Sequence, residues 1–181
     1  EPARVFSYCA ALASANEACN IIAEHISGSI SAFVERMNTR AAELGCSGTH
    51  FANTHACRTI TITPPRGIFP HRLRGHAPPA FAQLVGCREY TTSATNDSPA
   101  RVLESSNALI TPDSPYSDKY VYPGAVGIKT GYTEKAGYCL VSAVQRDGVN
   151  RHCRRTRRGR RRGSKRIRQL CRHGDAARLV L

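Results

Sequence analysis

Apolar and polar residues alternate from Val126 to Thr133, and this alternation predicts a β-strand. Pro123-Gly124 precedes the strand, and Glu134-Lys135 supplies a turn after it. A second, largely apolar strand is expected from 137 to 144, ending at the turn 146–148. Because only a short turn separates the two strands, the pattern predicts a β-hairpin.

Upstream of the hairpin, apolar residues recur at helical spacing and predict two helices. The first covers 17–27 and is broken by Gly28. The second runs from Ile30 to Leu44, where Gly45 closes it. We expect the apolar stripe of the second helix to face the core, and a turn with a short strand to follow from residue 47 to Asn53.

The length of 181 residues and a hydrophobic content of 41% suit one globular domain. No apolar run approaches the about 20 residues that a membrane-spanning helix needs. The first residues, Glu1 to Arg4, show no signal peptide. Because the chain does not begin with Met, we expect it to be a fragment.

The first hairpin strand carries the triplet Lys129-Thr130-Gly131, whose residue types suit recognition of a peptide carboxylate. A strand at the edge of a cleft offers backbone N–H and C=O groups to an extended peptide. A Lys adds positive charge, a Thr adds a hydroxyl donor, and a Gly allows close approach. Taken alone, the triplet indicates an ordinary surface hairpin rather than a binding site, because short Lys-Thr-Gly matches arise by chance in many chains.

A second motif, Ser14-Ala15-Asn16, stands just before the first predicted helix. A Ser-x-Asn sequence at such a position is typical of a helix cap. Together with the later Lys-Thr-Gly, however, it matches two members of the serine acyl-transfer set S-x-x-K, S-x-N and K-T-G. The two motifs also occur in the order of that set.

On these motifs and the sequence around them, the chain resembles the D-alanyl-D-alanine carboxypeptidases, the low-molecular-weight penicillin-binding proteins of the serine peptidase class. The likeness extends over residues 14–25, 33–53 and 123–148. It implies an α+β fold: a partial, incomplete β-lactamase and penicillin-binding transpeptidase fold, with helices and an antiparallel sheet. It also implies a periplasmic or other extracytoplasmic location and no cofactor or metal.

The resemblance further implies the reaction. Family members remove the terminal D-Ala of a peptidoglycan pentapeptide that ends in D-Ala-D-Ala, through an acyl-enzyme, and intact relatives bind β-lactams. Three residues would act in catalysis. Ser14 would relay a proton toward the leaving amine, Asn16 would hold the substrate amide and the catalytic Lys, and Lys129 would supply positive potential.

Substrate binding would fall to the residues after Lys129. Thr130 would bind the terminal carboxylate, Gly131 would let the substrate strand lie close, and Tyr132 would donate its backbone N–H to the oxyanion hole. The nucleophile is missing, since no Ser in the chain has a Lys three residues later. In the family S-x-x-K precedes S-x-N, so we expect it to have been lost from before Glu1 and the chain alone to be inactive.

Two segments differ in composition from the rest. Residues 57–79 are rich in Pro and Arg, and residues 150–181 hold 13 of the 26 Lys and Arg residues but a single acid, Asp175. Read one base later in permitted codons, Asn150 to Arg162 can encode a strand beginning Ile-Ala-Ile-Ala-Val-Val. We therefore expect 1–149 to be a partial catalytic domain with 57–79 out of frame, and 150–181 to be an out-of-frame, disordered tail.

The basic tail leaves other interpretations open. One is a basic nucleic-acid-binding protein, whose binding would be nonspecific because the tail has no aromatic residue for base stacking. Another is a catalytically dead relative that binds peptidoglycan peptides or β-lactams without covalent chemistry. A zinc set could be imagined in the tail, but its spacing matches no known module. Its members would be His152, Cys153, Cys171 and His173.

Overall fold

A computed structural model of the chain describes residues 2–46, 48–55, 78–111, 121–134, 137–146 and 149–155. The helices are α1 (Pro2–Ala11), α2 (Asn16–Ser27), α3 (Ile30–Glu43) and α4 (Pro79–Gly86). The strands are β1 (Glu89–Thr91), β2 (Val102–Glu104), β3 (Ala125–Thr133), β4 (Gly137–Arg146) and β5 (Val149–Arg155). The chain divides into two compact units: residues 1–77, with α1 to α3, and residues 78–181, with α4 and the described strands.

Helices α2 and α3 confirm the two helices predicted from apolar spacing, and each ends at a glycine with positive φ. Gly28 has φ 76°, and Gly45 has φ 77°. After α3 the Cys46 N–H donates to the Ala41 carbonyl, the long hydrogen bond of a Schellman motif. Glycine suits these positions because a Cβ would be strained in the left-handed region.

Small side chains form most of the buried part of the first unit. Among the described residues of this unit, those with 7% exposure or less are Leu12, Ala18, Ala23, Ala41 and Cys46. The stripe on α3 predicted to be core is half-buried except at Ala41. Ile21 and Ile26 on α2 remain 41% and 49% exposed. None of the helices in the described part of the chain is long and apolar enough to span a membrane.

A side chain, not a strand, holds the segment after α3. The strand predicted before Asn53 is wrong, since residues 48–55 form turns, bends and irregular backbone. The Asn38 Nδ2 donates to the Phe51 carbonyl at 2.9 Å, and the Phe51 N–H donates to Asn38 Oδ1 at 2.7 Å. Because a carboxamide offers one donor face and one acceptor face, it satisfies both backbone groups of Phe51 without a neighbouring strand.

The second unit contains two antiparallel sheets, one ordered β1-β2 and the other ordered β3-β4-β5. Strands β3 and β4 confirm the predicted hairpin, with Lys129 opposite Val141 and Thr130 opposite Leu140. Helices together with antiparallel strands give the α+β organisation that the resemblance implied.

Strand β5 corrects the prediction for the basic tail. It pairs with β4 from Arg146 opposite Val149 to Leu140 opposite Arg155, so the expectation of disorder is wrong for residues 150–155. The physical reason is that a strand pairs through its main chain, and the β4 edge offers N–H and C=O groups that need partners. Residues 156–181 lie outside the described residues, as do residues 56–77, which include all but the last two positions of the segment 57–79 predicted to be out of frame.

Candidate active site

Strand β3 presents Lys129-Thr130-Gly131 at an edge of its sheet. In the order β3-β4-β5, one side of β3 pairs with β4, and no described strand pairs with the other side. An edge strand keeps a row of backbone N–H and C=O groups that another extended chain can use. The triplet therefore occupies a position at which a peptide can add as a strand.

Local geometry around the triplet leaves room for a ligand. The Lys129 Nζ donates to the Thr130 carbonyl at 3.1 Å, which holds the ammonium group along the strand. A Cβ added at Gly131 would meet nothing within 4 Å. Tyr132, the next residue, is 60% exposed. The strand thus combines a positive charge with open space beside a backbone that carries no side chain.

Two residues before Lys129, Gly127 allows α4 to pack against β3. Its φ is 109°, and a Cβ there would overlap the Val85 carbonyl oxygen. The β3–β4 register shifts between Ala125 and Ile128, which is a β-bulge. The Gly127 carbonyl accepts a hydrogen bond from the buried Ser142 Oγ at 2.6 Å. Helix α4 and Ser142 therefore fix the strand just ahead of the triplet.

Ser106 lies beside Thr130, although no sequence motif indicated it. The Ser106 Oγ and the Thr130 Oγ1 are 2.5 Å apart, and either can donate to the other. Ser106 is exposed and belongs to the turn after β2, whereas Thr130 is half-buried. Nothing in the local sequence distinguishes Ser106 from other exposed Ser residues, because the contact joins positions 24 residues apart.

The turn that carries Ser106 is tied together by hydrogen bonds around Asn107, which is only 3% exposed. The Asn107 N–H donates to the Ser105 Oγ at 3.3 Å, and the Asn107 Oδ1 accepts from the Leu109 N–H at 3.1 Å. The Leu109 carbonyl in turn accepts from the Tyr122 N–H at 3.1 Å. The turn is therefore connected to the segment that leads into β3.

Ser14 and Asn16 lie at the start of α2, in the first unit. Ser14 is exposed and has φ 55°, the left-handed region that residues with a side chain rarely adopt. Ala15 holds the N-cap position of α2, so neither Ser14 nor Asn16 stands at the N-cap itself. The sequence predicts a role for this pair and for the β3 triplet, whereas no sequence pattern indicates the left-handed conformation of Ser14.

Metal binding has no support among the described residues, where no three His, Cys, Asp or Glu side chains are grouped as ligands. Cys171 and His173 of the zinc alternative lie outside those residues.

Several known proteins that match the sequence are named D-alanyl-D-alanine carboxypeptidases. A family model described as D-alanyl-D-alanine carboxypeptidase matches residues 3–60. The D-alanyl-D-alanine carboxypeptidase DacF of Bacillus subtilis is 31% identical over 144 residues, which cover 77% of this chain and 33% of that protein. DacB2 of Mycobacterium tuberculosis is 31% identical over 145 residues, covering 76% and 44%. The chain thus spans between a third and a half of the length of these relatives.

Solved structures agree with the sequence matches. The crystal structure of a D-alanyl-D-alanine carboxypeptidase from Mycobacterium tuberculosis aligns with a TM-score of 0.74 at 25% identity, covering 93% of this chain and 61% of that one. The Streptomyces K15 DD-transpeptidase aligns with a TM-score of 0.67 at 27% identity, covering 81% and 57%. The predicted fold class, a partial penicillin-binding transpeptidase fold, is confirmed.

Proposed function

Because the chain belongs to the D-alanyl-D-alanine carboxypeptidase family, we propose that it carries the substrate-holding part of a serine-type D-Ala-D-Ala carboxypeptidase. Its substrate would be a peptidoglycan stem peptide ending in D-Ala-D-Ala, met outside the cytoplasmic membrane. The observation that carries the proposal is the edge position of β3 with Lys129-Thr130-Gly131 on it.

The β3 edge suits an extended peptide with a free carboxylate. The peptide backbone would pair with the side of β3 that faces away from β4. The space beside Gly131 admits a second backbone. The Lys129 ammonium favours an anion, and the Thr130 hydroxyl can donate to a carboxylate oxygen. The Tyr132 N–H would donate to the carbonyl oxygen as negative charge develops on it.

Ser14 and Asn16 would serve the leaving-group side of the reaction. Ser14 would pass a proton to the departing D-Ala amine, and Asn16 would bind the substrate amide and orient the catalytic Lys. The left-handed φ of Ser14 supports a functional role, because strained backbone of this kind tends to persist at active sites.

The acylation step needs a nucleophile that this sequence does not contain, since it has no S-x-x-K. In the complete reaction a Ser hydroxyl would attack the carbonyl between the two D-Ala residues and form an ester. The terminal D-Ala would leave as a protonated amine, and water would then hydrolyse the ester. The chain alone would therefore bind the substrate without cleaving it.

A non-catalytic peptidoglycan- or β-lactam-binding protein is the second candidate, and the same missing motif favours it. A fusion of the chain with the S-x-x-K segment of a relative such as DacF distinguishes the two candidate functions. Release of D-Ala by the joined protein supports the carboxypeptidase, and binding without release supports the binding protein.

Titration of the chain with diacetyl-L-Lys-D-Ala-D-Ala, followed by NMR or calorimetry, tests the proposal directly. We expect the D-Ala-D-Ala peptide to bind and the L-Ala-L-Ala isomer to bind more weakly, with no release of D-Ala. Incubation with a fluorescent penicillin should leave no covalent label. Equal affinity for the two isomers would contradict the assigned substrate. Stoichiometric labelling would instead contradict the assignment of binding without acylation.

A nucleic-acid-binding function rests on the formal net charge of +13. Salt-sensitive retention on DNA that disappears when residues 156–181 are removed, together with equal binding of both peptide isomers, would favour this function over the carboxypeptidase.

A further inference from the structure

The hydrogen bond between the Ser106 and Thr130 hydroxyls extends the substrate site to a residue outside the Lys-Thr-Gly motif. We propose that Ser106 is a specificity residue: together with Thr130 it forms a hydroxyl pair that binds the terminal carboxylate of a D-Ala-D-Ala peptide. This inference rests on the function proposed above and extends the carboxylate-binding group from the Thr130 hydroxyl to a pair of hydroxyls.

The number of hydroxyl protons determines how many donors the pair can offer to a ligand. Each hydroxyl carries one proton and two acceptor lone pairs. At an Oγ–Oγ1 separation of 2.5 Å, one of the two protons lies in the hydrogen bond between the oxygens. The other proton stays on the accepting hydroxyl, and accepting a bond polarises that group as a donor. The pair therefore presents one strengthened O–H donor, which suits an anion that needs donors only.

The turn around Asn107 holds Ser106 in place before a ligand arrives. Its links to Ser105, Leu109 and Tyr122 tie the turn together and to the start of β3. The Ser105 N–H also donates to the Arg88 carbonyl at 2.8 Å, beside β1. A hydroxyl held on such a turn loses little further freedom when it binds, so more of the hydrogen-bond energy contributes to affinity.

Charge on the same stretch of β3 selects an anion over a neutral group. The Lys129 Nζ lies 3.1 Å from the carbonyl oxygen of Thr130, the residue whose hydroxyl meets Ser106. A carboxylate that accepts from the hydroxyl pair would also gain from this positive charge, whereas a carboxamide would not. The hydroxyl pair and Lys129 together should therefore discriminate a free C-terminus from an amidated one.

The test compares diacetyl-L-Lys-D-Ala-D-Ala with its C-terminal carboxamide on the full chain and on Ser106→Ala and Ser106→Thr. We expect Ser106→Ala to weaken binding of the acid by about 5- to 10-fold and that of the amide much less. Ser106→Thr, which keeps a hydroxyl, should restore most of the preference. Ser93→Ala removes an exposed hydroxyl from the loop after β1 and serves as the matched control.

A double-mutant comparison of peptide affinity measures the coupling between the Ser106 and Thr130 hydroxyls. In a Thr130→Ala background, Ser106→Ala should have little further effect, because the pair no longer exists. Thermal unfolding of each variant separates a loss of binding from a loss of folding. If Ser106→Ala unfolds, Ser106→Gly, which also removes the hydroxyl, takes its place.

Two results would overturn the inference: one is measured on the Ser106→Ala variant and the other on the unaltered chain. If the unaltered chain binds the D-Ala-D-Ala acid and folded Ser106→Ala binds it equally well, Ser106 has no role while the proposed function stands. If the unaltered chain does not distinguish the D-Ala-D-Ala acid from its L-Ala-L-Ala isomer, the proposed function fails and the role of Ser106 fails with it.

Discussion

Gly127 on β3 lies directly against the carbonyl group of Val85, near the end of α4, and a side chain at position 127 would occupy the space of that oxygen. The strand reaches this position with φ 109°, which an L-residue with a side chain rarely adopts. The helix therefore contacts the strand just before Lys129. The placement of the Lys-Thr-Gly triplet depends on the absence of a side chain at this point.

Replacement of Gly127 by Ala should destabilise the protein by about 2–4 kcal/mol, because the methyl group meets backbone atoms and the backbone is strained for Ala. Urea denaturation followed by circular dichroism measures the change in the free energy of unfolding. Gly86→Ala is the matched control, since a Cβ there would make an ordinary 3.5 Å contact with the Val126 carbonyl oxygen. An unchanged stability for Gly127→Ala would show that α4 does not approach β3 this closely.

Replacement of Gly131 by Ala should leave stability within about 0.5 kcal/mol, because the added Cβ meets nothing within 4 Å. The same methyl group would stand where the substrate backbone lies in the proposed site. We therefore expect the affinity for diacetyl-L-Lys-D-Ala-D-Ala to fall by about tenfold or more. Peptide titration and urea denaturation of one preparation give both quantities. Unaltered affinity would argue that the peptide does not lie against Gly131.

The left-handed backbone of Ser14 predicts a difference between two of its variants. Ser14→Ala and Ser14→Gly both remove the hydroxyl, but only Gly relieves the steric cost of positive φ. We expect the Gly variant to be more stable than the Ala variant by about 1 kcal/mol. Thermal and urea unfolding provide the comparison. A more stable Ala variant would mean that position 14 does not keep its positive φ in solution.

The Asn38 side chain should contribute measurably to stability because it satisfies both backbone groups of Phe51. Asn38→Ala leaves a half-buried N–H and C=O without these partners, and we expect a loss of about 1–3 kcal/mol. Thr39→Ala is the neighbouring control, since the exposed Thr39 hydroxyl donates to the Glu35 carbonyl within the same helix. Equal stability of the two variants would argue against the Asn38–Phe51 pairing.

Strand β5 sharpens the proposal that residues 57–79 and the chain from 150 onward are read out of frame. The basic sequence from Val149 to Arg155 pairs along β4, in the place where the alternative frame encodes Ile-Ala-Ile-Ala-Val-Val. Such β-branched and apolar residues favour a strand more than the Arg-rich sequence does. Sequencing of the coding DNA should show that the reading frame shifted by one base encodes Ile-Ala-Ile-Ala-Val-Val at this position. If the shifted reading frame does not encode this apolar sequence, the proposal is wrong.

The amino-acid sequence by itself determined α2, α3, the β3–β4 hairpin and the two motifs, because each is encoded locally. Apolar spacing sets a helix or a strand, and glycines at Gly28 and Gly45 set where the helices end. The motifs could be found because each spans only three consecutive positions. The resemblance to one family followed from these same local stretches.

Tertiary structure decided what local sequence does not encode. The Ser106–Thr130 hydrogen bond and the Asn38–Phe51 pairing join residues 24 and 13 positions apart. The pairing of β5 with β4 goes against the strand propensity of an Arg-rich sequence. The close approach of Val85 to Gly127 fixes the strand that carries the triplet. Each of these contacts forms because the fold brings together groups that are separated in the sequence. Their separation in space depends on the packing of the whole unit, not on the residues around each position.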